Sequence, residues 1–177
     1  MHCFMHEMAG SAGSAEPGAP HSHAAFDVRP AVPADASDIH ALIETFSTTG
    51  HLLPRSLDQI RSMIEQYVVV ADMHDRVVAC AALLEYSPSL AEVGSVAVLS
   101  EFQGRGVGTM VVRAVEAMAS HRGIDELFAV STADGFFRSL GYARTALGRY
   151  PEKLARYAAS GHSITTGRKP CFRKIAA

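Results

Sequence analysis

Three glycines on alternate positions, Gly104, Gly106 and Gly108, follow a predicted strand that ends at Val98 and precede a predicted helix that begins at Val107. Glycine adopts left-handed backbone angles readily and lets backbone N–H groups approach a ligand closely. The first turn of a helix adds unpaired amides and the positive end of the helix dipole. These features together predict a site for an anion, above all a phosphate or a pyrophosphate.

Two familiar phosphate-binding motifs do not fit this spacing. The dinucleotide fingerprint Gly-x-Gly-x-x-Gly lacks its third glycine, whether it is started at Gly104 or at Gly106. A P-loop requires Lys and then Ser or Thr after its last glycine, whereas Gly108 is followed by Thr109 and Met110. A glycine-rich turn that only packs a helix against a strand stays open as an alternative.

A carboxylate precedes this turn on the strand that leads into it. Glu92 could accept a proton from an amine, because amino groups are mostly protonated at pH 7 and react only after losing that proton. Alternation along an extended strand places Glu92 on one face with Gly94, Val96 and Val98, unless a bulge intervenes. The alternative is a solvated acid at the end of a strand.

The glycine turn and a later aromatic segment resemble a known family. Gln103-Gly104-Arg105-Gly106-Val107-Gly108 resembles the Gln/Arg-x-x-Gly-x-Gly/Ala signature of the GNAT superfamily of N-acetyltransferases, and Phe136 to Tyr142 is similar to that family's Phe-Tyr-x-x-x-Gly-Phe segment. The resemblance implies that the loop amides hold the pyrophosphate of acetyl-CoA and that a neighbouring strand pairs with the pantetheine arm. The implied cofactor-binding residues are Val96, Ala97, Val98, Gln103, Gly104, Arg105, Gly106, Val107, Gly108 and Phe137.

The resemblance also assigns catalytic roles. Glu92 is expected to be the general base, and the backbone amide of Val96 is expected to polarise the thioester carbonyl, where one donor contributes ~3 kcal/mol. Many relatives carry a tyrosine as general acid where this chain has Phe137, which cannot donate a proton. A thiol of pKa ~8.5 leaves readily without an acid. Ser131 and Thr132 could donate a hydrogen bond, although such residues more often cap the next turn.

Three further segments look like the short, stand-alone N-acetylglutamate synthases of bacterial arginine biosynthesis. These segments are Leu52 to Ser56, Ala91-Glu92 and Tyr150 to Lys153. The resemblance implies that the acceptor is the α-amino group of L-glutamate, whose two carboxylates need cationic partners. It also implies an acyl-CoA N-acyltransferase of the cytoplasm that acts in amino-acid biosynthesis.

Several side chains could form the acceptor site. Arg55 is the first candidate for a carboxylate partner, and Lys153 and Arg168 are weaker ones, each with an ordinary surface charge as its alternative. Ser95 and Ser131 complete the predicted substrate-binding set. An acetyltransferase for another small amine or a protein N-terminus stays open, as does a non-catalytic sensor of acetyl-CoA or amino acids.

Composition limits the partners. The chain has 177 residues, of which 48% are apolar and 19% charged, and its net charge of −2 is too small to indicate a nucleic-acid or membrane partner. Three cysteines without metal-ligand or redox spacing indicate reduced thiols and no metal. No apolar run approaches the ~20 residues of a membrane helix, and no secretion signal is visible.

The pattern of apolar residues predicts the elements that position these side chains. Residues 1–25 contain few large apolar side chains and are predicted to form a disordered tail, and 26–177 a GNAT N-acetyltransferase domain. Hairpins followed by a strand–helix–strand crossover predict an α/β (α+β) fold with a mixed, mostly antiparallel sheet of about six to seven strands and helices on both faces. The resemblance also implies a homodimer that pairs through sheet edges or the C-terminal strand. The predicted strands are 26–30, 67–71, 77–86, 91–98, 126–130, 142–145 and 171–175, and the predicted helices begin at Asp35, Ser56, Val107, Gly135 and Pro151.

Overall fold

The computed structural model describes residues 26–159 and 169–175. The predicted tail of residues 1–25 and the candidate Arg168 lie outside those ranges. The strands are β1 (Phe26–Pro30), β2 (Tyr67–Asp72), β3 (Val77–Ser87), β4 (Leu90–Val98), β5 (Glu126–Val130), β6 (Ala143–Thr145) and β7 (Cys171–Ile175). The α-helices are α1 (Ala36–Ser47), α2 (Leu57–Ser62), α3 (Val107–His121), α4 (Asp134–Ser139) and α5 (Pro151–Ala159).

The seven described strands form one sheet in the order β1-β2-β3-β4-β5-β7-β6. Among the described strands, β4 and β5 form the one parallel pair, and α3 connects them as a crossover. The other neighbours pair antiparallel. The predicted mixed, mostly antiparallel sheet is therefore confirmed.

Helices cover both faces of the sheet. α3 and α4 lie on one face, where Val111 and Phe137 join the larger core, and α1 and α2 lie on the other, where Ile43 and Ile60 are buried. The central strands consequently bury side chains on both faces and are almost continuously apolar. Burying one such side chain typically contributes about 1.5–3 kcal/mol.

The starts of the first two α-helices differ in how their caps are made. α2 begins at the predicted Ser56 with a capping box, in which Ser56 Oγ accepts from Gln59 N at 3.2 Å and Gln59 Oε1 accepts from Ser56 N at 3.0 Å. Asp35 precedes α1 as predicted, but its side chain does not cap that helix. It accepts a hydrogen bond from the backbone N–H of Val32 at 2.7 Å instead.

A bidentate ion pair explains why the Asp35 carboxylate turns away from α1. Arg29 Nη1 and Nη2 contact Asp35 Oδ2 and Oδ1 at 2.7 and 3.0 Å. The hydrogen bond from Arg29, followed by that from Val32, lowers the pKa of Asp35 despite its burial. The pair fastens the edge strand β1 to the start of α1.

Replacing Asp35 with Asn is expected to lower the free energy of unfolding by about 1.5–3 kcal/mol at pH 7, because a charge-assisted pair is lost. A lowered folded-state pKa stabilises the protein above the unfolded pKa of ~3.9, and this stabilisation is lost as the pH falls through the folded value. Urea unfolding at several pH values should therefore show the difference between parent and variant shrinking below about pH 4. Asp38→Asn, on the exposed side of α1, is the control, and a difference that does not change with pH would contradict the assignment.

Candidate active site

A β-bulge interrupts β4 in the middle of the predicted site. Cys80 of β3 pairs with Ala97, but Ala82 pairs with Gly94. Between these two pairs β4 advances by three residues and β3 by two, which defines the bulge. Ser95, within the bulge, has a φ of 51°, which is unusual for a residue other than glycine. The extra residue shifts the alternation of side chains along β4.

The bulge overturns the expected arrangement of faces. Val93 and Val96 pack against the same core beneath α3, although a separation of three residues in a regular strand would place them on opposite faces. Val98 packs on that face too. The bulge is the exception under which the predicted alternation would not hold. Glu92 and Gly94 stay on one face, that of Leu84 and helices α1 and α2, whereas Val96 and Val98 lie on the other.

Strands β4 and β5 separate at the bulge. Their parallel pairing ends where Glu92 is opposite Phe128. Beyond that point neither Ser95 nor Val96 has a register partner in the described strands on either side. The split exposes backbone amides of β4 inside the fold, and two cavities open along it.

The first cavity, the glycine groove, has a volume of about 450 Å³. Its floor is the end of β4 and its wall is the turn before α3, where Gly104 and Gly106 have φ values of 73° and 80°. Gln103 Nε2 donates to the carbonyl of Val98 at 3.0 Å and fastens the turn to the strand. The lining residues are Phe46, Val96, Ala97, Val98, Gln103, Gly104, Gly106, Gly108, Thr109, Ala133 and Phe136.

The predicted cofactor residues do not all reach the glycine groove. The side chain of Val107 is buried in the core, so only its backbone is available there. Arg105 lies outside the lining, with its guanidinium 5.5 Å from the centre of the Phe102 ring. A binding role for these two side chains stays a prediction.

The aromatic segment contributes a different residue to each cavity. Phe136 lines the glycine groove, where a Cβ built on Gly108 would lie 3.3 Å from the Phe136 ring. Phe137 is 2% exposed, stacks on Phe172 with ring centres 5.6 Å apart, and lines the second cavity instead. The sequence resemblance pointed to Phe137 alone, so Phe136 is a groove residue that it missed. The available sequence signal for Phe136 was the glycine at position 108, because a larger side chain there would crowd the Phe136 ring.

Gly106→Val is expected to weaken CoA binding by about tenfold or more. Nothing lies within 4 Å of a Cβ built on Gly106, so the reason is backbone strain at φ 80° rather than a clash. A β-branched residue there would pull the turn, and its amides, out of position. Calorimetric titration with CoA tests this, with Gly148→Val, at an equally open position without positive φ, as the control. Equal affinity of parent and Gly106→Val would refute it.

The second cavity, the Glu92 cavity, lies in the split between β4 and β5 and has a volume of about 80 Å³. It brings together all the described residues that the sequence predicted for the substrate, namely Arg55, Ser95, Ser131 and Lys153. Glu92, Val96 and Phe137 line it as well. Val96 lines both cavities, so its backbone lies where they meet.

Glu92 is held by a buried lysine. Lys153 Nζ lies 2.7 Å from both Oε1 and Oε2 of Glu92, and these side chains are 4% and 6% exposed. The hydroxyl of Tyr86 donates to Glu92 Oε2 at 2.8 Å. Burial lowers the pKa of Lys153, although the Glu92 carboxylate opposes that shift, and burial with the same carboxylate raises the pKa of Tyr86. Neither alternative for Lys153 in the sequence, acceptor partner or surface charge, included this contact.

The aromatic ring of Tyr157 also contacts Lys153. Its centre lies 4.3 Å from Nζ, and both residues belong to α5. Residues four apart share a helix face. Lys153 and Tyr157 therefore lie on one face of α5, and this face is buried.

The other predicted side chains of the Glu92 cavity differ in their contacts. Arg55 Nε is buried without a hydrogen-bond partner in the described part of the chain. Ser131 Oγ accepts from the backbone of Ala133 at 3.1 Å, which is the turn cap considered as its alternative role. Lys169, which also lines the cavity, donates to the carbonyls of Gly50 and His51 at 2.8 and 3.1 Å and holds the loop before α2.

Two kinds of feature are absent from the described residues. Residues 26–159 and 169–175 contain no cluster of three or more His, Cys, Asp or Glu side chains that could hold a metal ion. Within the same ranges, no helix has the length and apolar character needed to cross a bilayer.

The groove and the cavity fit a CoA thioester. Amides at the start of α3 suit the diphosphate, the unpaired edge of β4 suits an extended amide-containing arm, and the Glu92 carboxylate lies beyond the end of that path. The architecture is that of a CoA-dependent acyltransferase. The model of the acetyltransferase (GNAT) family matches residues 37–148, and the chain belongs to this family. Acetyl-CoA is accordingly its acetyl donor, and bound there it supplies an activated acyl group.

Individual relatives agree with this assignment. An N-acetyltransferase of Chlorobaculum tepidum, itself uncharacterized, is 37% identical over 73% of this chain and 83% of its own length. An amino-acid acetyltransferase of Pasteurella multocida is 31% identical over 70% of this chain, which spans only 29% of that protein. The structure of N-acetylglutamate synthase from Neisseria gonorrhoeae with coenzyme A and N-acetyl-glutamate superposes on 86% of this chain and 35% of that one, at a TM-score of 0.76 and 24% identity.

Proposed function

We propose that the enzyme transfers the acetyl group of acetyl-CoA to the α-amino group of L-glutamate. The observation that carries the proposal is the charge of the Glu92 cavity. Its described lining contains three cations, Arg55, Lys153 and Lys169, and one carboxylate, Glu92. An acceptor with two carboxylates and one ammonium lowers this excess of positive charge, whereas a simple amine adds to it.

Arg55 is the proposed anchor for one acceptor carboxylate. Its Nε is buried and has no hydrogen-bond partner among residues 26–159 and 169–175, and an unsatisfied buried donor is unfavourable until a ligand pairs with it. A guanidinium binds a carboxylate through two parallel hydrogen bonds and so fixes its orientation. The names of the Pasteurella and Neisseria relatives, which concern amino-acid acetylation and N-acetylglutamate, are consistent with this acceptor class.

The proposed reaction follows from the positions of Glu92 and Val96. Glu92 takes a proton from the acceptor ammonium, and the freed nitrogen attacks the thioester carbon. The backbone N–H of Val96, a residue without a register partner in the described strands on either side, donates to the carbonyl oxygen as negative charge develops on it. The carbon–sulfur bond then breaks, and the sulfur leaves as a thiolate. The nitrogen, which still carries one proton more than the amide product, releases it to water or to the departing thiolate, so that a neutral amide forms.

A separate general acid is not required in this scheme. Phe137 has no proton to donate, and the pKa of ~8.5 of an ordinary thiol makes the thiolate an adequate leaving group. Ser131 lines the Glu92 cavity, and its hydroxyl proton stays available because its oxygen acts as the acceptor towards Ala133. We therefore assign Ser131 to substrate binding, with hydrogen bonding to the leaving sulfur as a secondary role.

The decisive experiment is release of free thiol from acetyl-CoA over a panel of acceptors. L-glutamate, L-glutamine, L-aspartate, lysine and a peptide with a free N-terminus cover the alternatives. Preference for L-glutamate supports the proposal, and preference for another small amine or the peptide replaces it with a general N-acetyltransferase. Binding of acetyl-CoA without release for any acceptor would indicate a sensor. If L-glutamate is the acceptor, we propose that the enzyme acts in arginine biosynthesis in the cytoplasm. The homodimer is a separate proposal, and gel filtration tests it.

Arg55→Ala is expected to raise the KM for L-glutamate more than it lowers kcat. An interaction made equally with substrate and transition state affects KM, and loss of a charged hydrogen bond corresponds to about 1.5–3 kcal/mol, or roughly 10- to 100-fold. Steady-state kinetics at saturating acetyl-CoA measures both constants. Arg61→Ala, an exposed arginine of α2 paired with Asp58, is the matched control. Unchanged kinetics for Arg55→Ala would remove it from the acceptor site.

A further inference from the structure

The ammonium of Lys153 occupies the position on Glu92 that an acceptor ammonium would need. A general base must lie about 2.6–3.2 Å from the nitrogen whose proton it removes. Lys153 Nζ already lies 2.7 Å from both carboxylate oxygens, and the Tyr86 hydroxyl occupies Oε2 as well. These contacts use three of the about four positions at which a carboxylate accepts hydrogen bonds, and an acceptor ammonium at the last one, on Oε1, would lie beside the like charge of Lys153. Lys153 must therefore move away from Glu92 before an acceptor ammonium can approach that carboxylate favourably.

Lys153 can leave Glu92 only for another anion. A buried ammonium without a counter-ion is strongly unfavourable, and Lys153 is 3% exposed. The groups that face it are Tyr157, whose ring lies below Nζ, Tyr86 on the same carboxylate, and the cations Arg55 and Arg156, whose charges oppose its own. Glu92 is the one carboxylate among the described residues that line the cavity. The replacing anion must therefore enter with the ligand.

We propose that a carboxylate of the acceptor replaces Glu92 as the counter-ion of Lys153, and that this exchange frees Glu92 to act as the base. The inference rests on the proposed function, since it takes the acceptor to be an amino acid. It adds a reason for selectivity that shape alone does not provide. An amine without a carboxylate leaves the Glu92–Lys153 pair closed, so such an acceptor loses kcat as well as affinity.

The exchange predicts an unusual result for Glu92→Gln. Glutarate, which has the carbon chain and both carboxylates of L-glutamate but no amine, serves as the probe with CoA present. In the parent, glutarate must displace the Glu92 carboxylate from Lys153. In Glu92→Gln, it competes only with a neutral amide, so binding is expected to become about tenfold tighter. A purely structural ion pair would give equal or weaker binding.

The double variant Glu92→Gln/Lys153→Met isolates the part played by Lys153. It should lose the gain in glutarate affinity, while thermal unfolding and CoA titration confirm that each variant is folded. Equal glutarate binding by parent and Glu92→Gln overturns the proposal, as does undetectable binding to Glu92→Gln. Equally tight binding by the double variant also overturns it. Thiol release with L-glutamate is measured separately on the parent, so a wrong acceptor assignment is recognised independently of the glutarate result.

Discussion

Glu92→Gln is expected to lower turnover by about 10²- to 10⁴-fold while leaving the affinity for CoA nearly unchanged. An amide has the shape of the carboxylate but cannot accept the acceptor's proton. Its oxygen can still accept a hydrogen bond from Lys153, and its second polar atom can still pair with the Tyr86 hydroxyl, but the buried Lys153 ammonium loses its counter-ion. Thermal unfolding therefore accompanies the assay and shows whether the variant is folded at the assay temperature. Because Glu92 does not line the glycine groove, the loss should appear in thiol release and not in CoA titration.

Glu126→Gln provides a matched control for this variant. Glu126 lies on the neighbouring strand, accepts a hydrogen bond from the Tyr150 hydroxyl at 2.7 Å and has Arg149 and Arg173 within 4 Å. It lines a different cavity, so its replacement should leave kcat within a few-fold of the parent. Comparable turnover of Glu92→Gln and the parent would exclude Glu92 as the base.

Local patterns in the sequence predicted most element boundaries. The strand Glu126–Val130, the helix Pro151–Ala159 and the strand Cys171–Ile175 have the predicted limits. Short runs of apolar and β-branched residues define the two strands. A proline suits the first helical position, because its missing N–H is not needed there. Where adjacent residues decide the structure, the sequence is sufficient.

The bulge at Ser95 depends on more than adjacent residues. No glycine occupies the left-handed position, and Gly94 precedes it instead. A Cβ on Gly94 would lie 2.7 Å from Leu84 of β3, so the close contact between the two strands is part of what fixes this geometry. Alternation along the sequence predicts the faces of a regular strand, but it does not show whether a bulge interrupts that strand. Whether the bulge forms depends on the pairing of β4 with β3.

The sequence predicted several side chains that line the Glu92 cavity, but it did not predict which of them contact each other. Residue types indicated Glu92 as a general base and Lys153 as a partner for an acceptor carboxylate. The two residues are 61 positions apart in the sequence, and each was given a separate role. Neither charge pattern nor spacing indicates that they form one buried pair. Only the packing of α5 over the split between β4 and β5 brings them together.

The same pair makes Lys153→Met the substitution with the largest expected effect on stability. Methionine fills much of the space of the lysine stem, but it leaves the Glu92 carboxylate buried without its counter-ion. Removing one partner of a buried pair typically costs about 3–5 kcal/mol, a large fraction of a total stability of about 5–15 kcal/mol. Urea unfolding should show the midpoint falling while the dependence on urea concentration stays similar.

Two companion variants separate charge from packing in that result. Glu92→Gln/Lys153→Met removes both charges and should recover much of the loss, because the remaining amide needs only neutral hydrogen bonds. Lys174→Met, by contrast, would be a poor control, since Lys174 is partly buried and lies 3.0 Å from the Glu116 carboxylate. Arg61→Met removes an exposed cation and should change stability by less than about 0.5 kcal/mol. If Lys153→Met were as stable as the parent, Glu92 would have to find water or another donor in the split between β4 and β5, and the pair could not be what holds α5 over it.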